Sequence, residues 1–174
     1  MKWIMRIFVG ILVVIVLLWA IVRITTRYHD AEDLEKVFLE NEEEFRIAAA
    51  KLSEILLRND NNGINISTKN YYAEPYREGL FVEQIETLYF ITTNSPYPQE
   101  EYINMYDAVA VLISSLDLYA IAAGPDAICF CASLSYGIDC DIFYTADGES
   151  PRVDHTIKDQ VKICDGWYAV ITHD

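Results

Sequence analysis

The sequence predicts an α+β chain: an N-terminal transmembrane helix followed by a mainly antiparallel sheet packed by two amphipathic helices. Three observations carry this. Residues 7–22 run sixteen positions without a charged or strongly polar side chain. Two later stretches repeat apolar residues in steps of three and four, the period of a helix buried along one face. The C-terminal half alternates apolar and polar residues around glycine-containing turns, the pattern of antiparallel hairpins.

The N-terminal run, extended by Trp3, Ile4 and Met5, covers residues 3–22 and is interrupted only by Arg6. Twenty helical residues span about 30 Å, the thickness of a bilayer hydrocarbon core. The stretch 18–23 offers no Ala-x-Ala site for signal cleavage, and the first cysteine, where a lipoprotein signal would end, is Cys129. The reading is an uncleaved anchor: residues 1–27 form the transmembrane anchor with its flanks, and residues 28–174 a single acidic α+β domain. The α-amino group, Lys2 and Arg6 precede the run and Arg23 and Arg27 follow it, so the positive-inside rule places the domain outside the cytoplasm by a narrow margin. The expected location is the cell membrane, single-pass, with the lipid bilayer as partner through residues 3–22.

Asp30 can cap a helix whose first turn holds Glu32, Asp33 and Glu35. Leu34, Phe38, Asn41, Phe45, Ala48, Leu52 and Ile55 form its stripe, widened by Val37, Ala49 and Leu56. The predicted helix spans residues 31–57 and stops before Asn59-Asp60-Asn61-Asn62-Gly63. A wide stripe under four heptads long points to packing on its own domain rather than a coiled coil.

Ile64, Ile66 and Thr68 alternate as a short edge strand, and Asn65-Ile66-Ser67 matches a glycosylation triplet. Tyr71, Tyr72, Tyr76 and Phe81 suggest a loop packed down by its own aromatics. Residues 83–93 read as one strand. Pro96 and Pro98 precede a second helix over 99–116, buried through Tyr102, Met105, Tyr106, Val109, Leu112, Ile113 and Leu116. Residues 118–123 form a strand ended by Gly124-Pro125-Asp126.

Residues 127–134 and 138–145 flank Ser135-Tyr136-Gly137, a three-residue hairpin loop. The implied register pairs Leu134 with Ile138, Ala132 with Cys140, Phe130 with Ile142 and Ile128 with Tyr144, and makes this face core. Cys129, Cys131, Ser133, Asp139, Asp141 and Phe143 occupy the other face. Residues 161–164 and 167–172 flank Asp165-Gly166, a second hairpin. The expected sheet has four to six strands.

These turns carry a resemblance. Tyr144, Asp147, Gly148 and Pro151, followed by Asp165-Gly166-Trp167-Tyr168, resemble the tail of small single-anchor bacterial proteins of unknown function. Those end in Tyr-Ser-x-Asp-Gly-x-x-Pro and then Asp-Gly-Trp-Tyr, and Thr145 stands here where serine is usual. The likeness covers about the last thirty residues and the layout of anchor, helix and domain. It implies a bacterial membrane protein with a shared fold signature, and no activity.

Charge narrows the partners. Beyond Arg27 lie all 27 acidic residues and nine of the 13 basic ones, a formal charge of −18. That argues against nucleic acid, whose phosphates would be repelled; it would attract a cationic partner such as a basic protein or peptide, but its first reading is solubility and repulsion from the membrane surface. The chemistry is sparse. A zinc site using Cys129, Cys131, Cys140 and Cys164 together conflicts with the hairpin register, which sends Cys140 to the opposite face. Buried thiols are the default, and Cys140 with Cys164 is the better disulfide pairing. Asp139 and Asp141 near Cys131, with Asp147 and Glu149 beyond, could bind calcium or do acid–base work, but the favoured reading is the solvated face of an outer hairpin. In the loop 58–63 the calcium pattern fails, because Arg58 and Lys69 stand where carboxylates are needed. There is no Gly-x-Ser-x-Gly, His-Glu-x-x-His or phosphate-cradling glycine run. Accordingly no catalytic, cofactor-binding or metal residue is assigned, and no cofactor is expected. The leading expectation is a membrane-tethered, non-catalytic interaction or accessory protein. The alternatives are a sensor or immunity-type protein that captures a basic peptide or toxin, and a hydrolase or metal-dependent enzyme using Asp139, Asp141 or His155.

Overall fold

The structure is a computed structural model that describes residues 11–16, 30–68, 79–135 and 138–173. Three helices, α1 (Ala31–Glu40), α2 (Glu42–Arg58) and α3 (Gln99–Leu116), pack on one face of an antiparallel sheet. Its strands are β1 (Ile64–Ser67), β2 (Phe81–Ile85), β3 (Leu88–Thr92), β4 (Ala120–Ala123), β5 (Ala127–Ser135), β6 (Ile138–Thr145), β7 (Thr156–Cys164) and β8 (Trp167–His173). The spatial order is β2-β3-β1-β4-β5-β6-β8-β7, eight strands where four to six were expected.

The transmembrane helix expected over residues 3–22 is corrected. Among the described residues no helix is long and apolar enough to cross a membrane. Residues 11–16 are helical. The rest of that stretch lies outside the described residues, as does the aromatic loop read at Tyr71, Tyr72 and Tyr76.

The single helix expected over 31–57 is two. Asn41 breaks it, at φ −131° and ψ 28°, with its side-chain amide donating to the Val37 carbonyl at 2.9 Å. An amide that competes for the preceding turn's carbonyl ends a helix locally. The break lets Phe38 and Phe45 converge on Trp167, with ring centroids 4.7 and 6.0 Å away. Phe130 and Tyr144 complete this aromatic core at 5.9 and 5.0 Å. Asp30 caps α1 by accepting from the Asp33 N–H at 3.0 Å, and the Ala31 N–H donates to Asp159 on β7.

The strand expected over 83–93 is also divided. Glu86 adopts φ +50° and turns the chain, so that Ile85 pairs with Leu88 and β2 folds back on β3. Strand β1, expected at an edge, lies inside the sheet between β3 and β4. Its Asn65 is half-buried there, in contrast to the surface loop that a glycosylation site requires.

In the β5–β6 hairpin, Phe130 pairs with Ile142 and Ile128 with Tyr144. Above Cys131 the ladder slips by one at a bulge, and Ser133 pairs with Cys140, Leu134 with Asp139 and Ser135 with Ile138. Ala132 is the extra residue, so the expected pairings of Leu134 with Ile138 and Ala132 with Cys140 do not form. Further along, Gly166 turns β7 into β8 at φ +80°, and its carbonyl accepts from the Thr145 N–H at 2.7 Å. Tyr168 donates to the Gly148 carbonyl at 2.7 Å, fixing the loop after β6 onto β8.

Candidate functional site

The helices bury one sheet face through Ile66, Phe90, Ile121, Phe130, Ile142 and Ala169. Alternation sends the intervening residues to the opposite face. There the register lines up two cross-strand rows. One runs Ala120, Cys131, Asp141, Val170; the next runs Ala122, Cys129, Phe143, Tyr168. Phe143, Tyr168 and Val170 form a second, smaller apolar cluster on this face, with Cys129 packed against it.

The site follows from these rows. Cys129 and Cys131 project from the same face of β5 with their Sγ atoms 3.5 Å apart. Asp141 stands directly opposite Cys131 on β6. The two sulfurs and an Asp141 carboxylate oxygen all lie within 4.8 Å of one another. Alanines 120 and 122 on β4 stand beside the two cysteines, so no bulky side chain of that strand fills the space. Cys131 and Asp141 are each 9% exposed and Cys129 is half-buried. Asp141 Oδ1 is buried with no hydrogen-bond partner among the described residues.

The electrostatics are those of acids crowded out of water. Burial and, after it, the charge of Asp139 raise the Asp141 carboxyl to about 7 against the opposing effect of hydrogen bonds from Cys131 and Cys129. The Cys129 thiol is pushed well above its ordinary range by the hydrogen bond shared with Cys131, then by burial and the neighbouring charges. The Tyr119 phenol is raised by burial, then by the charges of Cys131 and Asp141 and a hydrogen bond with Cys131. Removing charged groups from solvent in this way favours their neutral forms unless a counter-charge is supplied.

Two thiolates and a carboxylate are a donor set for a thiophilic cation. In tetrahedral zinc coordination, with bonds of about 2.3 Å to sulfur, two sulfurs lie about 3.8 Å apart. The observed separation is close to that. Calcium and magnesium take oxygen ligands and do not suit a sulfur pair. With three protein donors, a fourth tetrahedral position would be left for another ligand.

Of the residues singled out by sequence, Asp141, Cys129 and Cys131 come together. Asp139 lies two residues along β6, opposite Thr172, and acts on Asp141 through its charge. His155 is exposed ahead of β7 and is outside the three-donor group. Cys140 is buried in the main core, while Cys164 accepts from the Arg46 guanidinium at 3.4 Å. The Cys140–Cys164 disulfide is not formed. Asp147 serves a turn, accepting from the Glu149 N–H at 3.0 Å. Sequence reasoning assigned no metal ligand because it asked all four cysteines to converge and weighed Asp141 apart from them. The signal was the same-face placement of Cys129, Cys131 and Asp141, visible in the hairpin register.

No family model, no curated protein and no solved structure matches this chain.

Proposed function

We propose that this chain is a zinc-binding domain with Cys129, Cys131 and Asp141 as its three protein ligands. The observation that supports it is the buried, unpartnered Asp141 oxygen beside two thiols whose sulfurs are 3.5 Å apart. An orphaned buried acceptor is costly, and a divalent cation at this point would satisfy it while neutralising the crowd of acids. Soft thiolates select zinc over the hard cations. Among the expectations from sequence, the metal-dependent alternative is the one this geometry favours. The net charge of −14 favours cationic partners in general, a metal ion among them.

Cobalt(II) titration of the full chain under reducing conditions tests this. The expected result is saturable thiolate-to-cobalt charge-transfer absorption that disappears in Cys129→Ser and Cys131→Ser and persists in Cys140→Ser. Absence of that absorption, or its dependence on Cys140 or Cys164, would refute the assignment.

A further inference from the structure

The row that carries Cys129 also forms one wall of a pocket of about 750 Å³. Ile91, Asn65, Ala122, Cys129 and Phe143 follow one another across five strands, and Ala127 adds to the same wall. The trough exists because its floor is small. Alanine stands at 122 and 127 and glycine at 63 and 124, whereas Ile91 and Phe143 rise at either side. Its volume is in the range of pockets that hold small organic ligands, about 300–1,000 Å³. Its lining is chiefly apolar, with Asn65 and Thr93 as the side chains able to hydrogen-bond.

We infer that this pocket and the cation site together form one binding site for a small molecule with an apolar body and a neutral nitrogen donor, the donor taking the cation's fourth position. The inference rests on the zinc assignment above. Cys129 joins the two parts, because it is both a metal donor and a wall of the pocket. The charge of the head group follows from the donor set. A divalent cation held by two thiolates and a carboxylate carries a net single negative charge, and Asp139 adds another close by. An anionic head group would meet repulsion there. A neutral donor such as an imidazole nitrogen would not. The apolar body follows from the lining, since removing an alkyl chain from water into such a trough is favourable and needs no polar partner.

The experiment compares 1-hexylimidazole with 1-methylimidazole on the cobalt-loaded full chain, read by the change in the cobalt d–d spectrum. The two probes share a donor and differ only in tail. The hexyl compound is expected to bind about tenfold or more tightly. Ala127→Trp, which fills the trough, is expected to remove that advantage, and the thiolate charge-transfer absorption in the same sample reports that the donors remain in place. Equal affinities for the two imidazoles would overturn the inference and leave the zinc assignment standing. Equal binding of 1-hexylimidazole to cobalt-loaded and metal-free protein, compared by isothermal titration calorimetry, would overturn the head-group assignment. Failure of the wild-type chain to take up cobalt would remove the zinc assignment and this inference with it.

Discussion

Cys131 and Asp141 face each other as a directly paired couple on neighbouring strands, at the last position before the β5–β6 ladder slips. The bulge at Ala132 therefore sits immediately beside the candidate site. Bulges locally sharpen strand twist and re-aim side chains, so the crowding of the site and the irregularity of its hairpin occur together.

Asp141→Asn separates metal binding from folding. The amide keeps the shape and loses the anionic donor, so cobalt affinity is expected to fall about tenfold or more. The metal-free variant is expected to stay folded, because the amide keeps the carboxylate's shape and one acceptor oxygen, and Oδ1 of Asp141 has no hydrogen-bond partner among the described residues. Asp139→Asn, outside the three-donor group, is expected to retain cobalt binding. Equal losses in the two variants, measured by spectroscopic titration, would show that only general acidity matters.

Tyr97 supplies the pH dependence. Its hydroxyl donates to the Asn62 carbonyl, and its own N–H donates to the Tyr102 hydroxyl oxygen at 2.9 Å. Burial, with lesser effects of Tyr102 and Glu101, raises the phenol from 10.0 to about 12. The folded state therefore holds the proton more tightly than the unfolded one. This contribution to stability is complete below pH 10 and is lost as pH rises towards 12. Tyr97→Phe is expected to cost about 1 kcal/mol at neutral pH and to flatten the alkaline decline. Urea denaturation across that window checks it, and parallel curves for the two proteins would contradict the assignment.

Trp167 is the hub of the helix-covered core, 1% exposed and in ring contact with Phe38, Phe45, Phe130 and Tyr144. Trp167→Ala is expected to cost about 3–5 kcal/mol through the cavity it leaves. Trp167→Phe should cost less than half of that, because the indole N–H is buried without a partner among the described residues. Equilibrium unfolding of the two variants gives the comparison, and equal destabilisation would show that the indole N–H does contribute.

Gly166 tests the turn that joins β7 to β8. A Cβ there would lie 2.7 Å from the Thr145 carbonyl oxygen, at a φ of +80°. Gly166→Ala is expected to destabilise by about 1–3 kcal/mol. Gly124→Ala is the control, since its Cβ would meet nothing nearer than the Ala127 carbonyl at 3.9 Å, and a change within about 0.5 kcal/mol is expected. A thermal-melt comparison in which both variants shift alike would contradict the steric account.

Much of the architecture can be read from periodicity. The helix at 99–116 matches α3 in extent, and the turns at Gly124-Pro125-Asp126 and Asp165-Gly166 carry recognisable turn chemistry. The misreadings have local causes. Asn41 interrupts a continuous apolar stripe through one side-chain hydrogen bond, which a periodic pattern does not register. Glu86 turns a hairpin without the glycine or asparagine that ordinarily marks one, because the β2–β3 ladder holds it at positive φ. Ala132 bulges with no sequence mark at all, since alanine is tolerated on either face. Strand β1 was placed at an edge because strand order is a long-range property, set by which apolar rows meet over the helices. The candidate site was half legible: alternation put Cys129, Cys131 and Asp141 on one face, but their burial depends on rows contributed by β4 and β8, which no local pattern reveals.

Strand β1 has a consequence for how the chain is assembled. Its four residues are hydrogen-bonded on one side to β3 and on the other to β4, both of which follow it in sequence. Ile64–Ser67 therefore leaves the ribosome with neither neighbour yet made. It first gains β3 and is enclosed only when β4 arrives after the whole of α3. The β2-β3-β1 group and the β4-β5-β6-β8-β7 group meet along that one four-pair ladder. The three candidate metal donors lie on the far side of it, within a single hairpin, so their gathering needs no pairing across that ladder.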